Sequence, residues 1–520
     1  MKAISYLKTC LIPLIIIMGY ISCEDDLDRF PTNELTNEKQ FSTVDGYKQA
    51  MVSAYIQFAG ANNFFYRDFF ELQEVTTDEI VNTWNDHQET TLSWSSEHDQ
   101  STDVYQSGLY LITLCNNFII ESEPSLVASR GLTKVEQEEV EFFKSEVRFI
   151  RAYAYWMMMD LFGNPTFATE ETLKNNEIPG QILSVDLFKY IESELKEIEP
   201  LMIDARANEY GRADKAAVWS LLARLYLNAE TYTNSQKYTE AIAYSKKVVD
   251  AGYSLEQNHQ WLMLGDNNQN TNEFIYTFNY DNEKVRTWGG TNTYSLGAAG
   301  VPASINGMSS SWNLYRVTPS IPALFPTNDP SIDKRAVFWT ENDESSRTLE
   351  IESLSNSLNG YSITKYRNIN RDGSPIQQEN TFNNLSDIDF PVFRLAEMYL
   401  IYAEAVLRGG SGGDLSTALS HVNKIRGRAY DNNPNSAVGN ITSSELDLDF
   451  ILDERARELM WEGFRRTDLI RYNRFTTSDY LWAWKGGVKD GTAVDEKFRL
   501  FPIPITDLLA NPNLKQNPRY

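Results

Sequence analysis

The sequence predicts a mainly α-helical protein, a tetratricopeptide-repeat-like helical scaffold with an irregular, loop-rich insertion carrying short strands. Three observations predict it. Apolar residues recur at spacings of three and four over long stretches. Two of these stretches fold back on themselves across short turns as alanine-containing helix pairs, and small side chains let paired helices approach closely. Between the two pairs, residues 267–389 lose that periodicity and become rich in Asn, Ser, Gly and Thr.

Residues 1–22 read as a processing segment and are set aside from the fold. Lys2 and Lys8 form a basic start, and Leu11 to Ile21 an apolar run too short to span a membrane. Ser22-Cys23 then reads as a loose lipobox, with Cys23 the expected lipidation site. Residues 23–42 are polar, hold Pro31 and read as a tether. The 43–266 part is helical: Val44 to Phe58, Val104 to Ile120 and Val135 to Phe162 each carry a helical stripe, the last stopped by Gly163 and Pro165. Arg212 to Gly252 forms the first helix pair. Glu273 to Phe278 reads as a short strand in the 267–389 segment. The 390–520 part completes the scaffold, with Leu395 to Arg428 as a second pair turning at Gly409 to Gly413.

Charge and cysteines narrow the function. The net charge of −25 over 520 residues disfavours nucleic acid and anionic surfaces as partners. Loss of residues 1–22 removes two lysines and no acid, taking the charge to −27. Of the three cysteines, Cys10 leaves with the processing segment and Cys23 takes lipid, so Cys115 has no disulfide partner. The four histidines, His87, His98, His259 and His421, form no HExxH or close pair, and no metal site or cofactor is expected. Gly409-Gly410-Ser411-Gly412-Gly413 matches a nucleophile elbow only literally, because a helix precedes it where a strand is needed. Paired carboxylates could still make a glycosidase, so a lipid-anchored polysaccharide-degrading enzyme stands as the alternative. The richest acidic cluster, Glu454, Arg455, Glu458, Glu462, Arg465, Asp468 and Arg471, has the spacing of ion pairs along a helix face.

Aromatic residues in polar surroundings point instead to binding. A pyranose offers C–H faces to a flat ring and hydroxyls to Asn, Asp or Arg, with affinity concentrated in a few anchors. Trp84, Asn85 and Asp86 lie in a polar stretch after Asp78 and Glu79. Trp288, before two glycines, and Trp312, after three serines, sit with Tyr294 and Tyr315 in the irregular segment, where binding loops on a rigid frame are expected. These seven are the candidate glycan contacts. Trp94, Trp461, Trp482 and Trp484 read as packing residues.

Three C-terminal blocks carry a resemblance: FRLAEMYLIYAEAVLR from Phe393, ILDERARELMWEGFRRTDLIR from Ile451, and FRLFPIPITDLLANPNLKQNPRY from Phe498. Together with RFIRAYAYWMMMDLFGNPTF and the Leu27-Asp28 and Pro31 of the tether, they resemble the SusD/RagB family of lipid-anchored glycan-binding proteins. The resemblance implies a lid without catalysis that captures oligosaccharides or polysaccharides and passes them to a SusC-like TonB-dependent transporter in the outer membrane. Some relatives take peptide or glycopeptide cargo. It also implies that Glu24, Asp25 and Asp26 resemble a surface-export signal, and that the acid–arginine cluster is a structural network. The tether, ~55–60 Å when extended, would leave a lipid-anchored lid free to hinge. One departure is Arg519, where relatives have glycine. It is expected to cost nothing unless the chain turns with positive φ there, and Pro502, Pro504 and Pro518 are expected to keep the tail extended against the scaffold.

Overall fold

A computed structural model describes residues 37–60, 65–84, 87–270, 272–285, 287–341, 346–376 and 385–520. Residues 1–36, and with them the processing segment and Cys23, lie outside the described residues. So do Asn85 and Asp86. The end of the expected tether, Asn37–Gln40, is a turn of helix.

The N-terminal half is helical where the apolar stripes predicted it. Helices α1 (Val44–Phe58), α2 (Phe65–Glu74), α3 (Asp99–Glu121), α4 (Lys134–Phe162) and α5 (Ser184–Ile198) follow in chain order, with strand β1 (Ile80–Asn82) after α2. Their ends follow from local chemistry. Thr133 and Glu136 form a reciprocal capping box at the start of α4, and Gly163, at φ +68°, ends it. A side chain at Gly163 would be strained at this φ and would displace the end of the Leu500 side chain, 2.9 Å from the added Cβ, where the C-terminal tail crosses.

Helices α6 (Lys215–Leu227) and α7 (Tyr238–Asp250) form the first expected pair, and α9 (Leu395–Leu407) and α10 (Leu415–Asp431) the second. Asp214 starts α6 by accepting from the Ala216 and Ala217 amides at 2.8 and 3.2 Å. Helix α7 packs on α9 although the whole irregular segment lies between them in sequence. The neck of that segment explains how. Strand β2 (Phe274–Phe278) pairs antiparallel with β4 (Phe390–Arg394), Phe274 opposite Arg394 and Phe278 opposite Phe390. The chain therefore leaves the helical stack and re-enters it at one place. Inside the excursion are helix α8 (Thr291–Gly297) and strand β3 (Tyr315–Val317). Helices α11 (Leu448–Leu459), α12 (Arg465–Arg471) and α13 (Ile505–Ala510) complete the fold.

Buried ion pairs fasten the excursion to the helices. Arg394 donates to Glu462 at 2.7 and 2.8 Å, to Glu458 at 2.6 Å and to Glu273 at 3.1 Å. Arg428 on α10 reaches Glu273 at 2.9 Å and also Glu458. From the excursion, Arg335 donates to Glu454 at 2.8 Å and Lys365 to Glu462 at 2.5 Å. Every one of these side chains is at most 3 % exposed. The cluster is structural, but its pairs run mostly between elements; the helix-face pairing that the spacing suggested survives only in contacts such as Arg457–Glu454 and Arg471–Asp468. Burial works to raise the Glu458 carboxyl, and the Arg428 and Arg394 guanidiniums overcome it, holding it well below the usual carboxylate range.

The tail departs from expectation twice. A helical turn, α13, interrupts the extended run, and Arg519 does adopt positive φ, +75°. Arginine where the pattern has glycine therefore carries a backbone cost of about 1 kcal/mol. The tail is held by Asn517, whose Nδ2 donates to the Phe162 and Phe501 carbonyls at 2.9 and 2.7 Å, and by Trp94, whose Nε1 donates to the Tyr520 hydroxyl at 2.7 Å. Trp94, Trp461 and Trp482 are buried as expected, and Trp484 packs on Val81, Ile351 and Leu354.

Glu458→Gln leaves two buried guanidiniums short of a charge. It is expected to cost about 3–5 kcal/mol in denaturant unfolding, whereas Asp186→Asn, which removes the exposed pair with Lys189, is expected to cost less than about 1 kcal/mol. Equal effects would show that the network does not hold the fold.

Candidate functional site

Three tryptophans from separate parts of the chain form one row. The Trp84 and Trp312 ring centroids lie 6.0 Å apart with a 30° angle between planes, and those of Trp312 and Trp288 lie 6.5 Å apart at 31°. Trp84 is 48 % and Trp288 50 % exposed. Trp312 between them is half-buried against the core, and exposed aromatic rings in contact make this row the candidate binding surface.

Two of the rings are delivered by a β ladder. Strand β1 pairs antiparallel with β3, Ile80 opposite Val317 and Asn82 opposite Tyr315. The ladder continues through Thr83, whose amide donates to the Leu314 carbonyl at 3.0 Å and whose hydroxyl donates to the Asn313 carbonyl at 2.6 Å. Trp84 and Trp312 therefore leave the same end of the ladder on opposite strands. The third ring comes from the chain just before α8. Trp288 precedes this helix, held by the Thr293 hydroxyl donating to its carbonyl at 3.0 Å. At the other end, the Trp312 and Leu314 amides donate to the Leu296 and Gly297 carbonyls at 2.7 and 3.0 Å. Gly290 makes the entry possible: its φ is +57°, and a Cβ there would sit 2.5 Å from the Tyr280 ring.

Tyr294 and Tyr315, expected as contacts, are corrected by their burial, since both are fully enclosed. All of α8 is buried, and Tyr294 packs on Phe70 at 4.0 Å and on Tyr366 at 5.2 Å. Strand β3 is covered on both faces, so Tyr315 sets its ring edge-on to Trp461 and its hydroxyl against Glu71. These tyrosines support the row instead of presenting it. Asn85 and Asp86 lie outside the described residues. Just beyond them, His87 Nε2 is 3.3 Å from the Ser355 hydroxyl.

Sequence reading missed the residues that hold this surface in place. Arg316, on β3, is fully buried and donates to the carbonyls of Leu354, Asn356 and Asn359 at 2.6, 2.7 and 2.8 Å, fixing the loop beside His87. With no acid beside it, burial lowers Arg316 to about 9. An arginine in a short strand among apolar neighbours was the available signal. Asp78 and Glu79, read as the approach to Trp84, are buried clamps. Asp78 takes Arg465 bidentately at 2.7 Å and the Tyr480 hydroxyl at 2.6 Å. Glu79 accepts from the Trp461 amide at 2.9 Å, and Glu74 from the Gly463 amide at 2.5 Å. The strand carrying Trp84 is thereby tied to the turn after α11.

The Glu74 and Glu79 carboxyls face each other in this clamp. Burial pushes Glu74 up to about 7, with Glu79 and the Gly463 and Phe464 amides working against it; burial and then Glu74 hold Glu79 well above its usual value. Arg465 and Lys365 are the nearby cations.

Comparison with known proteins places this architecture among described ones. The profile of the SusD family matches residues 334–520, and that of a family described as "Starch-binding associating with outer membrane" matches residues 27–227. The starch-binding protein SusD of Bacteroides thetaiotaomicron is 34% identical over 100% of this chain and 99% of its own length. SusD-like protein P38 of Formosa agariphila is 24% identical over 98% of each chain. Among solved structures, a SusD homolog from Bacteroides thetaiotaomicron aligns with a TM-score of 0.75 at 18% identity, covering 94% of this chain and 99% of its own. Surface glycan-binding protein A from the same species, in complex with laminarihexaose, aligns with a TM-score of 0.69 at 19% identity over 91% of this chain and 99% of its own. At these identities the solved structures establish the fold.

A raised carboxyl stabilises the folded state fully below its unfolded value, about 4.5, and that contribution is lost as pH rises through about 7. Melting temperature is expected to fall as pH rises from about 4.5 to about 7, and Glu79→Gln, which keeps a hydrogen bond without ionising, is expected to flatten the profile. An unchanged slope in that variant would remove the pair as the cause.

Proposed function

This chain belongs to the SusD family of outer-membrane glycan-binding proteins, and from that membership we propose that the Trp84–Trp312–Trp288 row captures an α-glucan chain for delivery to a partner transporter. Proteins of the family bind glycan without catalysis. The observation that carries the choice of ligand is the row itself: three rings in succession, each turned about 30° from the next. A β-1,4-linked glucan is a flat ribbon and suits coplanar rings. An α-1,4-linked glucan winds, and its C–H faces turn from one sugar to the next as these rings do. The relative with 34% identity is itself named for starch binding, and a neutral polymer suits a chain of net charge −25.

In this reading the protein is held on the outer membrane by lipid on Cys23 and caps a SusC-like TonB-dependent barrel, with the residues after Cys23 as the tether. No described helix is long and apolar enough to cross a membrane, which fits an anchor made of acyl chains. Two or three such chains give stable attachment where one gives only about 10⁴ M⁻¹. Asn85 and Asp86 would supply hydroxyl contacts beside Trp84. The domain division follows the same reading: 43–266 and 390–520 as frame, and 267–389 as the segment that brings two of the three rings.

Calorimetry with maltoheptaose and cellohexaose tests the proposal. Maltoheptaose is expected to bind without product release and cellohexaose at least tenfold more weakly. Trp312→Ala, which removes the middle ring, is expected to cost at least about 2 kcal/mol in binding, more than Trp84→Ala or Trp288→Ala. Preference for the β-linked chain, or hydrolysis of either, would overturn the reading.

A further inference from the structure

Next to the tryptophan row, residues 351–360 form a loop with neither helix nor strand, held from several sides. Besides the three carbonyls that Arg316 fills, Arg347 Nε donates to the Gly360 carbonyl at 3.0 Å and its Nη2 to the Ser357 carbonyl. Trp484 Nε1 donates to the Ile351 carbonyl at 2.8 Å, and Asn359 Oδ1 accepts from the Ser353 amide at 2.9 Å. Ile351 and Leu354 pack on Val81 of β1. A guanidinium buried on neutral carbonyls is costly, and burial lowers Arg347 to about 10 as it lowers Arg316. That cost is met where the loop lies against the ladder carrying Trp84.

The outer side of the loop is polar and open to solvent. Ser353, Ser355 and Asn356 are exposed, as is Glu352, whose carboxylate Lys489 takes at 2.6 and 2.7 Å. The Ser353 hydroxyl and Asn356 Nδ2 make no hydrogen bond among the described residues. Asn356 Oδ1 accepts from the Leu358 amide at 3.1 Å, which leaves Nδ2 as an exposed donor. The Ser355 hydroxyl lies 3.3 Å from His87 Nε2. His87 follows Trp84 by three residues, at most about 11 Å of chain, and Val81 precedes it by three. The loop therefore stands at the Trp84 end of the row. Residues other than glycine with left-handed backbone gather here too: His87 at φ +62°, Asn313 beside Trp312 at +54°, and Trp484, bonded to the loop, at +69°. Such strain concentrates at ligand sites, where the surroundings over-determine it.

A ring stacked on a sugar covers its C–H face and leaves the hydroxyls at the edge for polar partners. We propose that Ser355 and Asn356 supply those partners, Asn356 Nδ2 donating to and the Ser355 hydroxyl bonding with hydroxyls of the sugar unit stacked on Trp84. The inference rests on the tryptophan row as the glycan surface and adds to it a polar edge from a distant part of the chain. Calorimetry with maltoheptaose tests it. Asn356→Asp removes the donor and keeps Oδ1 for the Leu358 amide; combined with Ser355→Ala, it is expected to weaken binding at least about tenfold. Melting temperature is expected to stay unchanged, since both side chains are exposed. Because the contact is to the unit on Trp84, the same pair of changes is expected to matter less than about twofold in Trp84→Ala, and about tenfold still in Trp288→Ala. Wild-type affinity in the loop variant, or the full loss repeated in Trp84→Ala, would overturn the inference; if Trp312→Ala still weakens binding, the row survives that result. No binding of maltoheptaose by the unaltered protein would overturn both.

Discussion

Glu454, Glu458 and Glu462 stand one helical turn apart on α11 and its following turn, and apart from Arg457 on the same helix the cations that answer them come from other elements. Arg394 stands at the neck of the excursion, Arg428 lies on α10, and Arg335 and Lys365 lie inside the excursion itself. Charges sealed from water at this density are rarely a net gain over packed apolar side chains, but leaving one unpaired is expensive. That asymmetry makes the arrangement specific. An excursion of more than a hundred residues with little regular structure has many ways to collapse, and the buried pairs favour the one in which Arg335 and Lys365 meet their carboxylates.

The tryptophan row inherits its geometry from this network. Glu462 belongs to the same turn as Trp461 and Gly463, whose amides are taken by Glu79 and Glu74. Trp461 is left-handed, φ +63°, an unfavourable setting for a bulky residue, held by that hydrogen bond and by the Phe70, Tyr315 and Tyr366 rings. From Glu79 the chain runs straight into β1, and β1 pairs with β3 in the excursion. Ion network, turn, carboxyl clamp, ladder and rings are thus successive contacts. A surface built this way is set before ligand arrives, so little affinity is spent on ordering it.

The frame was legible in the sequence because its signals are local. The stripe from Val44 to Phe58, the stop at Gly163 and the turn at Gly409 to Gly413 each need only neighbours a few residues away. The exposure of Trp84 and Trp288 was legible for the same reason, their flanks being polar or glycine-rich. Tyr294 and Tyr315 have similar flanks and are buried, because enclosure of α8 and of both faces of β3 is decided by Phe70, Phe390 and Trp461, far away in sequence. Partner choice in the acid–arginine cluster was hidden likewise: spacings of three and four describe a helix face, whereas Glu458 pairs with Arg394 and Arg428. The cost at Arg519 was conditional on a backbone angle that only the folded tail reveals.

Crystal structures of the protein with and without maltoheptaose would decide whether the three rings form one preorganised surface. The glycan is expected to lie across Trp84, Trp312 and Trp288 together, with the ring spacings of 6.0 and 6.5 Å kept in both structures and backbone shifts of at most about 1 Å. Rings that stand apart until the glycan gathers them, or a glycan bound away from them, would contradict it.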